Sequence, residues 1–271
     1  MPVRDAGGIG AARTRCFVSH FNFDDAIVYP GQSGAAHAHM YWGADKVTAA
    51  GIDPTSGGSC RGGAVNLSGY WAPALLRPDG TVIVPTYVDV YYKQSHYDLN
   101  GTPFVNPPPK GLKMVSGDVL ARSSNPQNRF RFYWTCGETD DTNSSSSGVP
   151  QNCSNAVIGM HVKFPQCWDG VNLDSVDHKS HVVYPVGGSC PGTHPRLVPS
   201  ISQHIYFRNV PSNSRLSCDA ATGQGGFCLH ADIIVNWDEA IMQSMVTNCV
   251  NTSLSCGSDL VGDGTSMGSF G

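Results

Sequence analysis

The chain has 271 residues and a net charge of −4, and only 14% of its residues are charged, against about 25% in an average soluble domain. No basic run or basic amphipathic stretch is present, which argues against nucleic acid and anionic membrane as partners, and no apolar run approaches the roughly 18 residues that span a bilayer. Gly (31) and Pro (18) are frequent, so many turns and few long helices are expected within one large, mainly β domain.

Residues 1–15 are small and polar and are expected to be flexible, ahead of a single domain over 16–256 and a flexible tail over 257–271. The first strand is expected over Cys16 to Phe23, with Asp24 and Asp25 turning the chain into Ile27-Val28-Tyr29. The stretch Tyr29 to Gly43 then places two histidines and three aromatic side chains close together. If Ala36 to Trp42 is extended, His37, His39 and Tyr41 point to one face and Ala38, Met40 and Trp42 to the other. Two imidazoles on one strand face can bind a metal, relay a proton or hold a polar ligand, and Tyr41 adds a phenol. A lone His-x-His is more often one core histidine and one solvated one, but similar pairs return twice downstream.

Residues 45–65 read as a loop stapled at Cys60, and Leu67 to Val84, with Pro78-Asp79-Gly80 between apolar runs, reads as a hairpin. Strands are expected at Asp89 to Lys93, Arg129 to Cys136 and Ile201 to Phe207, while the serine-rich Glu138 to Gln151 has the composition of a disordered segment. A second polar cluster holds Asp177, His178 and His181, with Asp169 and Asp174 just before it. A third pair, His230 and Asp232, shares one face of an otherwise apolar strand, where both are costly unless partnered. A helix is expected over 237–250, capped by Asn236 with Glu239 at its third position and Ile241, Met242, Met245 and Val246 as its apolar stripe.

The ten cysteines are even in number, at least seven apart, and form no Cys-x-x-Cys knuckle, which points to five disulfides in an oxidising compartment. The expected bridges are Cys16 to Cys60, Cys136 to Cys153, Cys167 to Cys190, Cys218 to Cys228 and Cys249 to Cys256. Asn66, Asn143, Asn152 and Asn251 lie in glycosylation sequons and fit a secreted, extracellular glycoprotein. Residues 1–15 contain no apolar signal core, so the location rests on the cysteines. Nothing in the sequence sets the oligomeric state.

The order of these signatures resembles a family of secreted fungal and bacterial proteins filed as domain of unknown function nineteen ninety-six. The resemblance rests on Ile27 to Gly31 with His37-x-His39 and Gly43, Tyr70-Trp71-x-Pro73, Tyr91-Tyr92-Lys93, Phe164-Pro165-x-Cys167-Trp168-Asp169-Gly170, Asp177-His178-x-Ser180-His181, Cys190-Pro191, and His230-x-Asp232 before Trp237-Asp238. These run from Ile27 to Asp238, within the expected domain over 16–256. The family usually has Ser where Ala36 stands and Phe in place of Met40-Tyr41. The resemblance implies a secreted protein, often joined to WSC or other sugar-binding modules, in a cell-wall or polysaccharide setting.

Three functions follow. In the first, a carbohydrate-active hydrolase or lyase cleaves a wall or extracellular polysaccharide through one cleft formed by His37, His39, His178, His181, His230 and Asp232, with Tyr41 and Asp169 nearby. Trp42, Tyr70, Trp71 and Trp168 would be stacking platforms for its sugars, or core residues. In the second, the same cluster holds zinc or copper through His37, His39, His181 and His230, with no cofactor required by the first reading. The third is a non-catalytic glycan-binding module, with an exposed aromatic strip and no buried histidine cluster.

Overall fold

Two sheets packed face to face form the framework of the chain in a computed structural model that describes residues 3–4 and 9–267, apart from 98, 102, 139–145, 152, 154–156, 220–224 and 259. The larger sheet has seven strands in the order Val3–Arg4, Leu254–Ser255, Ala11–Cys16, Tyr87–Lys93, Ser200–Arg208, Val157–Lys163, Phe132–Cys136. The smaller has five in the order Lys113–Gly117, His230–Ile234, Gly69–Pro73, His39–Gly43, His20–Asn22. Neighbouring strands are antiparallel except for the single parallel pairing of Ser255 with Ala11. The fold is a mainly β sandwich, as expected.

Strand periodicity decides what each sheet gives to the core. From the smaller sheet Met40, Trp42, Tyr70, Ala72, Met114, Ala231 and Ile233 point inward, against Val88, Val90, Tyr92, Ile201, Ile205 and Phe207 of the larger. The intervening residues of the smaller sheet face the other way. Tyr41 and Trp71 there form a second, smaller apolar cluster with Ala26, Ile27 and Val47 from covering loops. The alternation expected around His37 to Trp42 therefore holds, and it places His39 on the outer face of the smaller sheet.

All five disulfides have the expected partners. Elsewhere boundaries move. Residues 11–15 of the expected flexible segment form a strand with Cys16 in the large sheet, because Ala11, Ala12 and Thr14 are buried there. The expected first strand, 16–23, shrinks to His20–Asn22 in the other sheet. In the expected tail, Val261 and Met267 are buried against the core. The α-helix runs Glu239–Asn248, with Met242, Met245 and Val246 buried as expected. Its cap is Asp238, whose side chain accepts from the Ile241 amide, so Glu239 opens the helix and no capping box forms. Asn66 is fully buried, which removes it as a glycosylation acceptor, whereas Asn143 and Asn152 lie outside the described residues, as do residues 139–145 of the serine-rich segment.

Candidate functional site

Register on the outer face of the five-stranded sheet builds the site. His39 stands opposite Pro73 in the neighbouring strand, and one strand further on His230 and Asp232 point the same way. Asp232 is opposite Trp71 on one side and Val115 on the other, and His230 is opposite Gly117. Gly117 is required there: its φ is +111°, and an added Cβ would lie 2.5 Å from the Leu229 carbonyl oxygen and 2.7 Å from His230 Cα. His37, just before its strand, closes the group, its ring 4.3 Å from His39 and 5.0 Å from His230. Ligand atoms of His39, His230 and Asp232 all lie within 4.8 Å of one another.

Hydrogen bonds fix what these groups present. The His39 Nδ1–H donates to the Asp24 carbonyl at 2.9 Å, and the His230 Nδ1–H donates to the Cys228 carbonyl at 2.7 Å. A ring nitrogen facing a carbonyl must carry the proton, so both Nε2 atoms carry lone pairs. Burial, reinforced by the neighbouring imidazoles, lowers the pKa of His37, His39 and His230 to about 3, so all three rings are neutral. Asp232 is fully enclosed, and neither of its oxygens has a hydrogen-bond partner, nor do Nε2 of His37 and His39. Burial, with the charge of Asp25 as a lesser cause, raises the Asp232 pKa well above the usual carboxylate range. The centre thus sets imidazole lone pairs beside a carboxyl group that has no hydrogen-bond partner and is costly to ionise there. That donor set, imidazole nitrogens oriented by backbone carbonyls plus one carboxylate, fits a divalent transition metal. The Sγ of Cys218 also lies near His37 and His230, but it is bonded to Cys228 and supplies no thiolate.

A cleft of about 210 Å³ leads to this centre, lined among others by Asp25, Tyr29, His37, His178, Lys179 and Asp232. Asp25 accepts from the Ile27 and Val28 amides through one oxygen, and burial raises its pKa. Tyr29, 40% exposed, offers a ring at the rim. His178 has a left-handed backbone, φ +57°, and its Nδ1 is paired with Asp174 at 2.9 Å.

The structure brings together His37, His39, His230 and Asp232 and puts His178 on the wall of their cleft. His181 is a correction: its Nε2 bonds the Lys113 carbonyl at 2.7 Å and its Nδ1 the Ser175 hydroxyl, so both nitrogens are committed to holding a loop and neither is a metal ligand. Asp169 is another; it accepts from the amides of Val171 and Asn172 and from the Asn172 side chain, which closes a turn. The Tyr41 hydroxyl donates to the Asp24 carbonyl, and burial raises its pKa, so it orients the loop under His39 instead of delivering a proton. Trp42, Tyr70 and Trp71 are 0% exposed and offer no sugar platform. Trp168, partly buried, donates its indole N–H to the Asn172 carbonyl.

Sequence reasoning missed Asp24, Asp25 and Lys179. The adjacent Asp24 and Asp25 read as a turn, and they do turn the chain: Asp24 accepts from Ser33, Gly34 and Ala49 while its carbonyl holds His39 and Tyr41. A two-carboxylate turn ahead of His37-x-His39 was the available signal.

The family model for the domain of unknown function DUF1996 matches residues 25–237, most of the chain. The chain belongs to the DUF1996 family. The DUF1996 match begins at Asp25 and ends at Trp237, so it encloses all four clustered residues and every residue that lines the cleft. No curated protein and no solved structure matches the chain. No helix among the described residues is long and apolar enough to cross a membrane, and the five disulfides fit an oxidising compartment.

Proposed function

We propose that this protein is a secreted enzyme that cleaves an extracellular polysaccharide, and that His37, His39, His230 and Asp232 hold a divalent metal ion, zinc or copper, for the reaction. The observation that carries the reading is the convergence of buried ligand atoms with no hydrogen-bond partner, Nε2 of His37 and His39 and both oxygens of Asp232. An unpaired buried carboxylate is strongly destabilising, and a cation among the three imidazoles offsets that cost. Such an ion supplies Lewis-acid activation of a substrate oxygen and a water of lowered pKa.

The chain's own groups divide the remaining tasks. The carbonyls of Asp24 and Cys228 fix the tautomers of His39 and His230. Asp25, on the cleft wall with a raised pKa, is suited to hold and transfer a proton beside the centre. Tyr29 offers an aromatic face to a sugar ring at the rim. A non-catalytic module is less well supported, since it calls for an exposed aromatic strip where this chain has a buried histidine cluster.

Elemental analysis of dialysed protein is the first test. Near-stoichiometric zinc or copper is expected in the natural chain, with loss in His39→Ala and in Asp232→Asn while the near-ultraviolet circular dichroism stays native. Metal content indifferent to both substitutions overturns the metal role. A panel of wall polysaccharides should then release new reducing ends only with the metal-loaded protein, and the absence of release from every member overturns the substrate.

A further inference from the structure

Beside the metal cleft lies a wider one of about 420 Å³. The two share Val115, Gly117, Asp177 and Lys179, so they are compartments of one groove separated at a seam. The first alone is smaller than the roughly 300–1,000 Å³ of an ordinary ligand pocket, whereas the second falls within that range. Lys179 occupies the seam. Its Nζ donates to the Gly117 carbonyl at 2.7 Å, and no described carboxylate pairs with it. An ammonium has three donors, so two remain for a ligand crossing from one compartment to the other.

The floor and rim of the second cleft differ in chemistry. Val115, Phe132, Pro165 and Tyr184 make an apolar floor, on which the Tyr184 ring is held by its hydroxyl bonding Ser116 and the Lys163 carbonyl. The rim carries Asp118, Gln127, Asp177, Lys179 and Ser180, a mixture of acceptors and donors. An apolar floor under a mixed polar rim matches a sugar ring, whose C–H face is apolar and whose hydroxyls both donate and accept. The charges around it balance, Asp118 and Asp177 against Lys179 and the Arg131 guanidinium 3.7 Å over the Tyr184 ring, so the cleft suits an uncharged sugar and offers an acidic one no net attraction.

We infer that the second cleft is a binding subsite for the adjoining residues of a neutral glycan chain whose neighbouring bond lies at the metal centre, with Lys179 as the residue that bridges the two compartments. The inference rests on the glycan reading of the metal cleft and names the substrate class, an uncharged chain long enough to fill both.

Metal-loaded protein is titrated calorimetrically with neutral gluco-, xylo-, manno- and chito-oligosaccharides of two to six units, and with oligogalacturonates of the same lengths. At least one neutral series should bind about tenfold more tightly at six units than at two, and the galacturonates should not. Val183→Trp, which fills the second cleft, should reduce the hexamer to the affinity of the dimer with metal content unchanged. Lys179→Ala, which leaves the cleft open, should weaken the hexamer more than the dimer. Affinity independent of length in every neutral series, preference for the galacturonates, or length dependence that survives both substitutions would overturn the subsite. Metal content, measured on the same samples, reports failure of the metal reading separately.

Discussion

The proposed metal site is tested most directly at Asp232, whose two oxygens are buried without a hydrogen-bond partner. With its pKa raised, its contribution to stability is full below the unfolded value near 3.8 and is lost as pH rises through the folded one, so at neutral pH the metal-free protein carries a penalty. Asp232→Asn removes that penalty. In chelator the variant should therefore melt at or above the temperature of the natural chain. Added zinc should raise the melting temperature of the natural chain, by the equivalent of about 2.7 kcal/mol at a hundredfold excess over Kd, and leave the variant unmoved. Thermal scans with and without chelator check this, and a variant several degrees less stable in chelator would mark Asp232 as structural. The His230/Asp232 pair was legible because a two-residue spacing on a strand fixes a shared face, whereas His37 lies just before the strand that begins at His39 and joins the group through its position beside that ring. The His178/His181 pair was not legible, since a turn has no fixed periodicity and the left-handed φ of His178 sends the two rings to different partners.

At the scale of elements, the cluster depends on how closely Lys113–Gly117 approaches His230–Ile234. Gly117 is both left-handed and in contact with the backbone of His230, so Gly117→Ala must strain one strand or push the other away. The expected cost is about 1 to 3 kcal/mol in urea unfolding, together with a loss of metal affinity through displaced His230. Gly80→Ala provides the contrast, because its φ of +86° is strained but nothing lies within 4 Å of the new methyl. It should cost stability and leave metal affinity unchanged, and equal effects on metal binding at the two sites would refute the positioning role of Gly117. The disulfides were readable at this scale because four of the five close separations of 23 residues or fewer. Helix capping was misread for a local reason: Asn236 and Asp238 are both good caps, and Asn236 is engaged with Leu67 and Ser68 of a neighbouring segment.

Across the whole molecule, the sandwich class was visible in composition and strand patterning, but the outer face of the large sheet was not. Val157–Lys163 was not among the expected strands, although Ile158, Met160 and Val162, which face the core, alternate in its sequence with Gly159, His161 and Lys163. On that outer face His161 lies opposite His204, their Nδ1 atoms 2.9 Å apart, with Thr135 bonding His161 Nε2 and Ser202 bonding His204 Nε2. Burial, then the nearby His204 and Lys163, hold the His161 pKa well below 6.5. The native protein thus keeps this ring neutral while the unfolded chain takes up a proton below about pH 6.5. Stability from this source is full above that pH and falls on acidification, at a slope approaching about 1.4 kcal/mol per pH unit until the lowered native pKa is reached. His161→Gln keeps a polar side chain but cannot titrate, so it should lower stability at neutral pH and flatten the acid limb by up to that slope. Urea unfolding from pH 7.5 to 4.5, in chelator so that proton competition for the metal ligands is common to both proteins, measures the difference. Parallel pH profiles for the two proteins would mean that His161 is protonated in the fold and that burial on this face is incomplete.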